Sequence, residues 1–262
     1  MKKYIAILLS LVLCLGIFAG CSDNSSADKL ILGTSADYPP FEFHMLDEDG
    51  NDVIVGIDVS VAQKIAADMG VELEIVDISF NNLLTSLDKG EVDMVIAAME
   101  IDPERENTAD YSDAYYSDLP SMILVKKENV DLYTSLEDFS GVTVGTQTGT
   151  TMEDIVTNDM PGAELLSLTS VTDLVNNLVY DKCGALVLNG AVAMQYAESN
   201  PDLVVSPIEL GQTVTYHVAV AEGDPKELLD SINKSIAEMI EQGLIDTYIA
   251  QAETDSENAL VG

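Results

Sequence analysis

Residues 94–99, Met-Val-Ile-Ala-Ala-Met, form an uncharged run of the length a buried strand requires. The run stops at Glu100-Ile101-Asp102-Pro103-Glu104-Arg105. Pro103 has no N–H to give to a ladder, so the strand is over before it. Arg105 therefore falls just past the carboxyl end of a buried strand, where open α/β sheets hold their ligands. A guanidinium there can grip a small carboxylate through two parallel hydrogen bonds. Pairing with Glu104 or Glu106 on the surface is the alternative, and the run alone leaves it open.

The flanking pattern repeats a simple unit. A strand over 30–34 is followed by Val59, Ala62, Ile65, Ala66 and Met69 at helical spacing, with Gly70 as the stop. A strand over 72–76, a short helix over 81–89 ending at Gly90 and a strand over 92–99 complete β-α-β-α-β, which predicts a parallel sheet. A second series follows, with strands at 119–126, 142–146, 165–168, 185–188 and 203–205. Between them Gly149-Thr150-Thr151 opens one helix, and helices are expected over 171–180 and 191–197. The last strand spans 215–221. Helices over 225–242, capped by Asp224 and stopped by Gly243, and over 244–251 close the chain, with a polar tail from 253. Residues 42–44 are extended, and 47–52 form a hairpin turn around Asp49-Gly50. That acidic turn is not a calcium loop, because its glycine comes too early and no Glu closes it. Two α/β units imply two lobes with a cleft between them.

The first twenty residues carry Lys2 and Lys3, an apolar stretch over 5–18 and the small pair Ala19-Gly20, the layout of a secretory signal. Phe18-Ala19-Gly20-Cys21 resembles a bacterial lipobox, which implies cleavage before Cys21 and a lipid on its sulfur; an ordinary signal peptide is the alternative. Residues 22–28 are small and polar, a tether. No other apolar run is long enough to span a membrane. With Cys14 removed and Cys21 acylated, Cys183 stands alone, so no internal disulfide is expected and Cys183 is a packing residue. An apolar fraction of 47% supports a core, while Lys plus Arg is 11 against 46 for Asp plus Glu. The net charge of −35 excludes nucleic acid and anionic lipid headgroups as partners and attracts cations.

Several segments, in order, resemble one known family. They are 36–43 (Ala-Asp-Tyr-Pro-Pro-Phe-Glu-Phe), 55–59 (Val-Gly-Ile-Asp-Val), 90–93 with Pro103-Glu104-Arg105, 111–116 (Tyr-Ser-Asp-Ala-Tyr-Tyr), 136–141 (Leu-Glu-Asp-Phe-Ser-Gly) and Gly149-Thr150-Thr151. The chain is similar to bacterial extracellular solute-binding proteins of family 3, the polar amino-acid binding lipoproteins of ABC importers, over about 30–251. The resemblance implies an α/β, two-lobed type 2 periplasmic-binding-protein fold. Each lobe would be a mainly parallel sheet flanked by helices, joined by two crossing hinge strands. The expected organisation is signal peptide 1–20, tether 21–29, lobe 1 at 30–125 and 216–252, lobe 2 at 126–215, and a frayed tail at 253–262. It also implies capture of a free amino acid between closing lobes and its delivery to a membrane permease. The protein would be a monomer, held by the lipid on Cys21 at the outer face of the cytoplasmic membrane, without cofactor or metal.

The same resemblance implies the site. Arg105 would take the ligand α-carboxylate, with hydroxyl and N–H groups of Thr150 and Thr151. The physics agrees, since N–H groups at a helix start favour an anion. Tyr38 and Phe80 would flank the ligand side chain. Ala98 would offer its carbonyl to the ammonium, and Gln147 lies within reach from the second lobe. Three positions depart from the pattern. Ser35 stands where binders of basic or amide side chains often have Asp, which weakens the case for lysine or arginine. Asn189 stands where an Asp receives the ammonium, and Glu100 where Ser or Thr is usual. Glu100 is expected to replace the absent Asp as counter-charge. Its pairing with Arg105, or a ligand without an α-amino group, are the alternatives.

Two other functions remain in view. A free-standing sensor lipoprotein would hand its bound state to a receptor. A cyclohexadienyl-dehydratase-like enzyme on the same fold would use Glu100 as proton donor. No nucleophile–histidine–acid set accompanies it, and His44 and His217 are isolated. Gly149-Thr150-Thr151 lacks the lysine of a phosphate loop.

Overall fold

The computed structural model describes residues 29–102, 108–211 and 213–260. The signal segment, Cys21 and Arg105 lie outside the described residues. The chain opens with β1 (Lys29–Thr34), then a small antiparallel sheet of β2 (Asp37–Tyr38), β3 (Glu42–Leu46) and β4 (Asp52–Val55). Next come α1 (Ile57–Met69), β5 (Glu72–Asp77), α2 (Leu83–Asp88), β6 (Met94–Val95) and β7 (Ala109–Ser117). The second unit holds β8 (Met122–Lys126), β9 (Thr143–Gln147), α3 (Met152–Asp154), β10 (Glu164–Leu168), α4 (Val171–Val179), β11 (Ala185–Leu188), α5 (Gly190–Ser199) and β12 (Leu203–Val205). Then β13 (Thr215–Ala221), α6 (Leu229–Glu241) and α7 (Leu244–Leu260) close the chain.

Two five-stranded sheets result, ordered β5-β1-β6-β13-β7 and β10-β9-β11-β8-β12. The expected parallel pairing holds for three strands of each sheet, and the two further strands pair antiparallel. Leu32, Met94 and Val95 have no solvent exposure, as strands covered on both faces require. The apolar stripe of α1 buries Val61, Ala62, Ile65 and Ala66 against the first sheet. Gly70 ends that helix in the left-handed region, its N–H reaching the carbonyls of Ala66 and Ala67. β7 and β13 run side by side as far as Ser117 and Thr215, and Asp118 N–H then donates to the Val214 carbonyl. At this point both strands leave the first sheet for the second unit.

Five elements differ from expectation. The strand expected over 92–99 is reduced to Met94–Val95, because Ile96–Met99 stay buried but turn out of the ladder, with Ala98 at φ 44. The nine residues of β7 have no counterpart among the expected strands, and β8 begins at Met122 rather than 119. Helix α6 starts at Leu229 rather than 225. Leu228, not Asp224, is therefore the residue before it, and the Asp224 carboxylate accepts from the N–H groups of Leu228 and Leu229 from the preceding turn. The frayed tail is corrected: α7 runs through Leu260, and Ala252 and Ser256 are buried as it packs on α1, α5 and β3.

Candidate functional site

The cleft between the sheets holds a small cavity. Four expected residues line it from the first lobe: Tyr38, Phe80, Ala98 and Glu100. Four more line it from the second: Gln147, Thr150, Thr151 and Asn189. Several sit at element ends facing the cleft. Tyr38 ends β2, Gln147 ends β9, and Asn189 joins β11 to α5. Ser35 is not on this wall. It is buried beside a neighbouring, larger hollow, with Asp37 and Asp77.

Glu100 is the centre of the arrangement. Its Oε1 accepts from Asn189 Nδ2 at 2.9 Å and its Oε2 from Thr151 Oγ1 at 3.2 Å. Tyr38 OH donates to Asn189 Oδ1 and accepts from the Asn189 N–H at 3.3 Å. A first-lobe carboxylate and phenol thus meet a second-lobe amide and hydroxyl. The Gly149 turn is braced internally: Thr150 Oγ1 donates to the Gln147 carbonyl at 2.7 Å, and Gly149 N–H to Glu153 at 2.8 Å. Phe80 packs on the cluster around Leu83 while also reaching the cavity.

Behind this wall lie residues to which sequence reasoning gives no role. Asp58 is fully buried; its Oδ2 takes the Ala98 N–H at 2.7 Å and its Oδ1 the Tyr115 hydroxyl at 2.8 Å. That bond holds Ala98 in its left-handed turn, an unusual conformation for a residue with a Cβ. Glu42, 1% exposed, faces Asp58. Burial, then the Asp58 charge, pushes the Glu42 carboxyl well up, which favours its protonated form beside Asp58. Burial raises Asp58 to about 6 against the pull of Ala98 N–H, Tyr115 and Glu42. The signal lies in Val-Gly-Ile-Asp, which carries the resemblance but names no function. Asp118 is a second such group. It accepts from Leu119 N–H, Ala191 N–H and the Tyr216 hydroxyl, tying both crossing strands to the start of α5. Burial raises its carboxyl, those three donors lower it, and Glu100 raises it again.

His217 lies between the Ser112 carbonyl and Thr215, and His44 between Asp52 and Asp77 at the surface. Cys183 is buried and free, its thiol pushed up to about 11 by burial, consistent with a packing role. Among the described residues no His, Cys, Asp or Glu cluster is placed to hold a metal, and no helix is long and apolar enough to cross a membrane.

Comparison with known proteins places these features. The pattern of the bacterial extracellular solute-binding proteins, family 3, matches residues 30–251. The chain is 35% identical over 252 residues to the arginine-binding extracellular protein ArtP of Bacillus subtilis, covering 94% of this chain and 96% of ArtP. It is similar to the amino-acid ABC transporter substrate-binding protein AbpA of Streptococcus pneumoniae, solved bound to L-arginine. There the TM-score is 0.83 at 31% identity, over 87% of this chain and 95% of that one. A P235GK mutant of ArgBP from T. maritima gives a TM-score of 0.77 at 36% identity, over 86% of this chain and 95% of that one.

Proposed function

The chain belongs to family 3 of the bacterial extracellular solute-binding proteins, and we propose that it captures a free cationic amino acid, L-arginine first, for an ABC importer. The observation that carries this reading is Glu100, a carboxylate on the cavity wall held from the opposite lobe by Thr151 and Asn189. A ligand ammonium taken out of water needs such a counter-charge. Arg105 and the turn at Thr150 and Thr151 take the ligand carboxylate, Ala98 presents its carbonyl, and Tyr38 and Phe80 flank the aliphatic stem. Ser35 lacks the acid that basic ligands often meet, and it lines a neighbouring hollow rather than the wall of this cavity. The net charge of −35 speeds the encounter with a cation. The relatives named for arginine point the same way. The closed form is presented to a permease. The protein works as a monomer outside the cytoplasmic membrane, anchored through lipid on Cys21, and binds without catalysis.

The test is calorimetry and thermal unfolding on protein that has been unfolded and refolded to strip bound solute. L-Arginine at a hundredfold excess over its dissociation constant adds about 2.7 kcal/mol of stability. No shift with arginine, lysine or histidine overturns the cationic reading. A shift with a neutral amino acid alone keeps the transport role and replaces the ligand.

A further inference from the structure

Two consecutive residues of β2 reach across the cleft to two different helices of the second lobe. Tyr38 meets Asn189, the residue just before α5. Asp37 points to the other side of the strand, as alternation demands. Its Oδ2 accepts the N–H of Val171, the first residue of α4, at 2.7 Å. The Ser170 hydroxyl accepts from Asp173 N–H and stands beside the same carboxylate, lowering its pKa. First-turn N–H groups have no partner inside their own helix, so a carboxylate placed there is a strong acceptor. The segment that carries Asp37 is fixed in turn: Ala36 N–H donates to Asp77 Oδ1 at 3.0 Å and Asp37 N–H to the Ser35 carbonyl at 2.8 Å. Tyr38 lines the ligand cavity and Asp37 does not; Asp37 lines the separate hollow with Ser35 and Asp77.

We propose that Asp37 is an inter-lobe latch: by capping α4 across the cleft it holds the lobes together, setting how long the ligand stays without touching it. The inference rests on the reading of the cleft as a ligand site. The bond joins an element of each lobe, so it exists only while the lobes are together, and every separation breaks it. A group that acts this way changes release and leaves the choice of ligand alone. Burial raises the Asp37 carboxyl above its usual range, the Val171 N–H and Ser170 hydroxyl pull it back, and Asp77 pushes it up again. The latch rests on acceptor geometry at the Val171 N–H, which an amide oxygen also supplies.

The experiment compares the wild-type chain with Asp37→Ala and Asp37→Asn. Stopped-flow release of L-arginine is measured together with the radius of gyration by small-angle scattering, with and without arginine. Loss of the cap in Asp37→Ala speeds release about tenfold and raises the arginine needed for closure about as much. Asp37→Asn stays within about threefold of wild type, as Asn caps helices as well as Asp does. The order of preference among arginine, lysine and histidine is the same in all three proteins. Wild-type release from Asp37→Ala overturns the latch. So does Asp37→Asn as impaired as Asp37→Ala, which would make Asp37 a steering charge. If the wild type binds no amino acid tested, the ligand reading has failed by itself, and scattering without ligand still decides. Asp37→Ala must then be the more open of the three, and equal sizes overturn the latch.

Discussion

Replacing Glu42 with Gln should make the protein more stable relative to wild type as the pH rises, although it alters a fully buried hydrogen bond. Glu42 and Asp58 face each other with 1% and 0% exposure. Two charges cannot be held there unpaired, so one proton is shared and Glu42 carries it. In the unfolded chain Glu42 ionises near its ordinary value of 4.5. Its folded value is raised, so the stability it contributes is fully present below pH 4.5 and is lost as the pH climbs toward the folded value. Between those limits the native state holds one proton more than the unfolded chain, a slope of about 1.4 kcal/mol per pH unit. A glutamine side chain is neutral in both states and has no such slope. The stability of Glu42→Gln minus that of wild type should therefore rise by about 2–3 kcal/mol between about pH 5 and pH 7. Asp58, raised from 3.8 to about 6, imposes its own loss of about 3 kcal/mol, mostly between about pH 4 and pH 6 and common to both proteins. A fixed offset is expected as well, because Glu42 Oε2 has no hydrogen-bond partner and the amide must occupy its place. The difference in slope is thus the informative quantity. Urea unfolding followed by circular dichroism at several pH values measures it. Parallel stability curves for the two proteins would mean that Glu42 is ionised in the fold and would refute the shared proton.

How far the sequence can be read depends on whether the local pattern and the tertiary environment agree. Strands β1 and β11 are apolar runs whose burial follows from their composition, and β5 alternates as a strand covered on one side does. β7 escapes such a reading because Ala-Asp-Tyr-Ser-Asp-Ala-Tyr-Tyr-Ser mixes acids with buried rings, and only pairing with β13 makes a strand of it. The run over 94–99 misleads in the opposite sense. It is buried throughout, but Asp58, forty positions away in sequence, captures the Ala98 N–H and turns the chain out of the sheet. The tail is hard to read because α7 shows little apolar periodicity near its end, yet small residues, Ala252 and Ser256, fit against the first lobe. Eight cavity-lining residues are legible through motifs. Asp37, Asp58 and Asp118 are not, since each acts on backbone N–H groups that only the folded chain brings near.

The two departures in the site account for one another, and this yields the remaining predictions. A smaller one concerns scaffold: a Cβ on Gly56 would lie 2.0 Å from the Phe41 carbonyl oxygen at φ 131, so Gly56→Ala should cost about 3 kcal/mol or more in urea unfolding, and a loss below about 1 kcal/mol would contradict that contact. Glu100→Thr should weaken arginine by about 2–5 kcal/mol in calorimetry, and unchanged or improved affinity would remove Glu100 as counter-charge. Asn189 Nδ2 lies 2.9 Å from Glu100 Oε1. An Asp at that position would set two carboxylates in hydrogen-bond range, where like charges cost several kcal/mol unless they share a proton. Having Glu at 100 therefore favours an amide at 189, which donates to the carboxylate instead of repelling it. A carboxylate has about four lone-pair sites, so Glu100 can keep Thr151 and Asn189 and still accept an ammonium. On this argument Asn189→Asp alone weakens arginine binding, while Asn189→Asp combined with Glu100→Thr restores one acid and binds more tightly than the two single losses predict. Calorimetry on the four proteins measures the coupling, and additivity within about 0.5 kcal/mol would show that the two positions are independent.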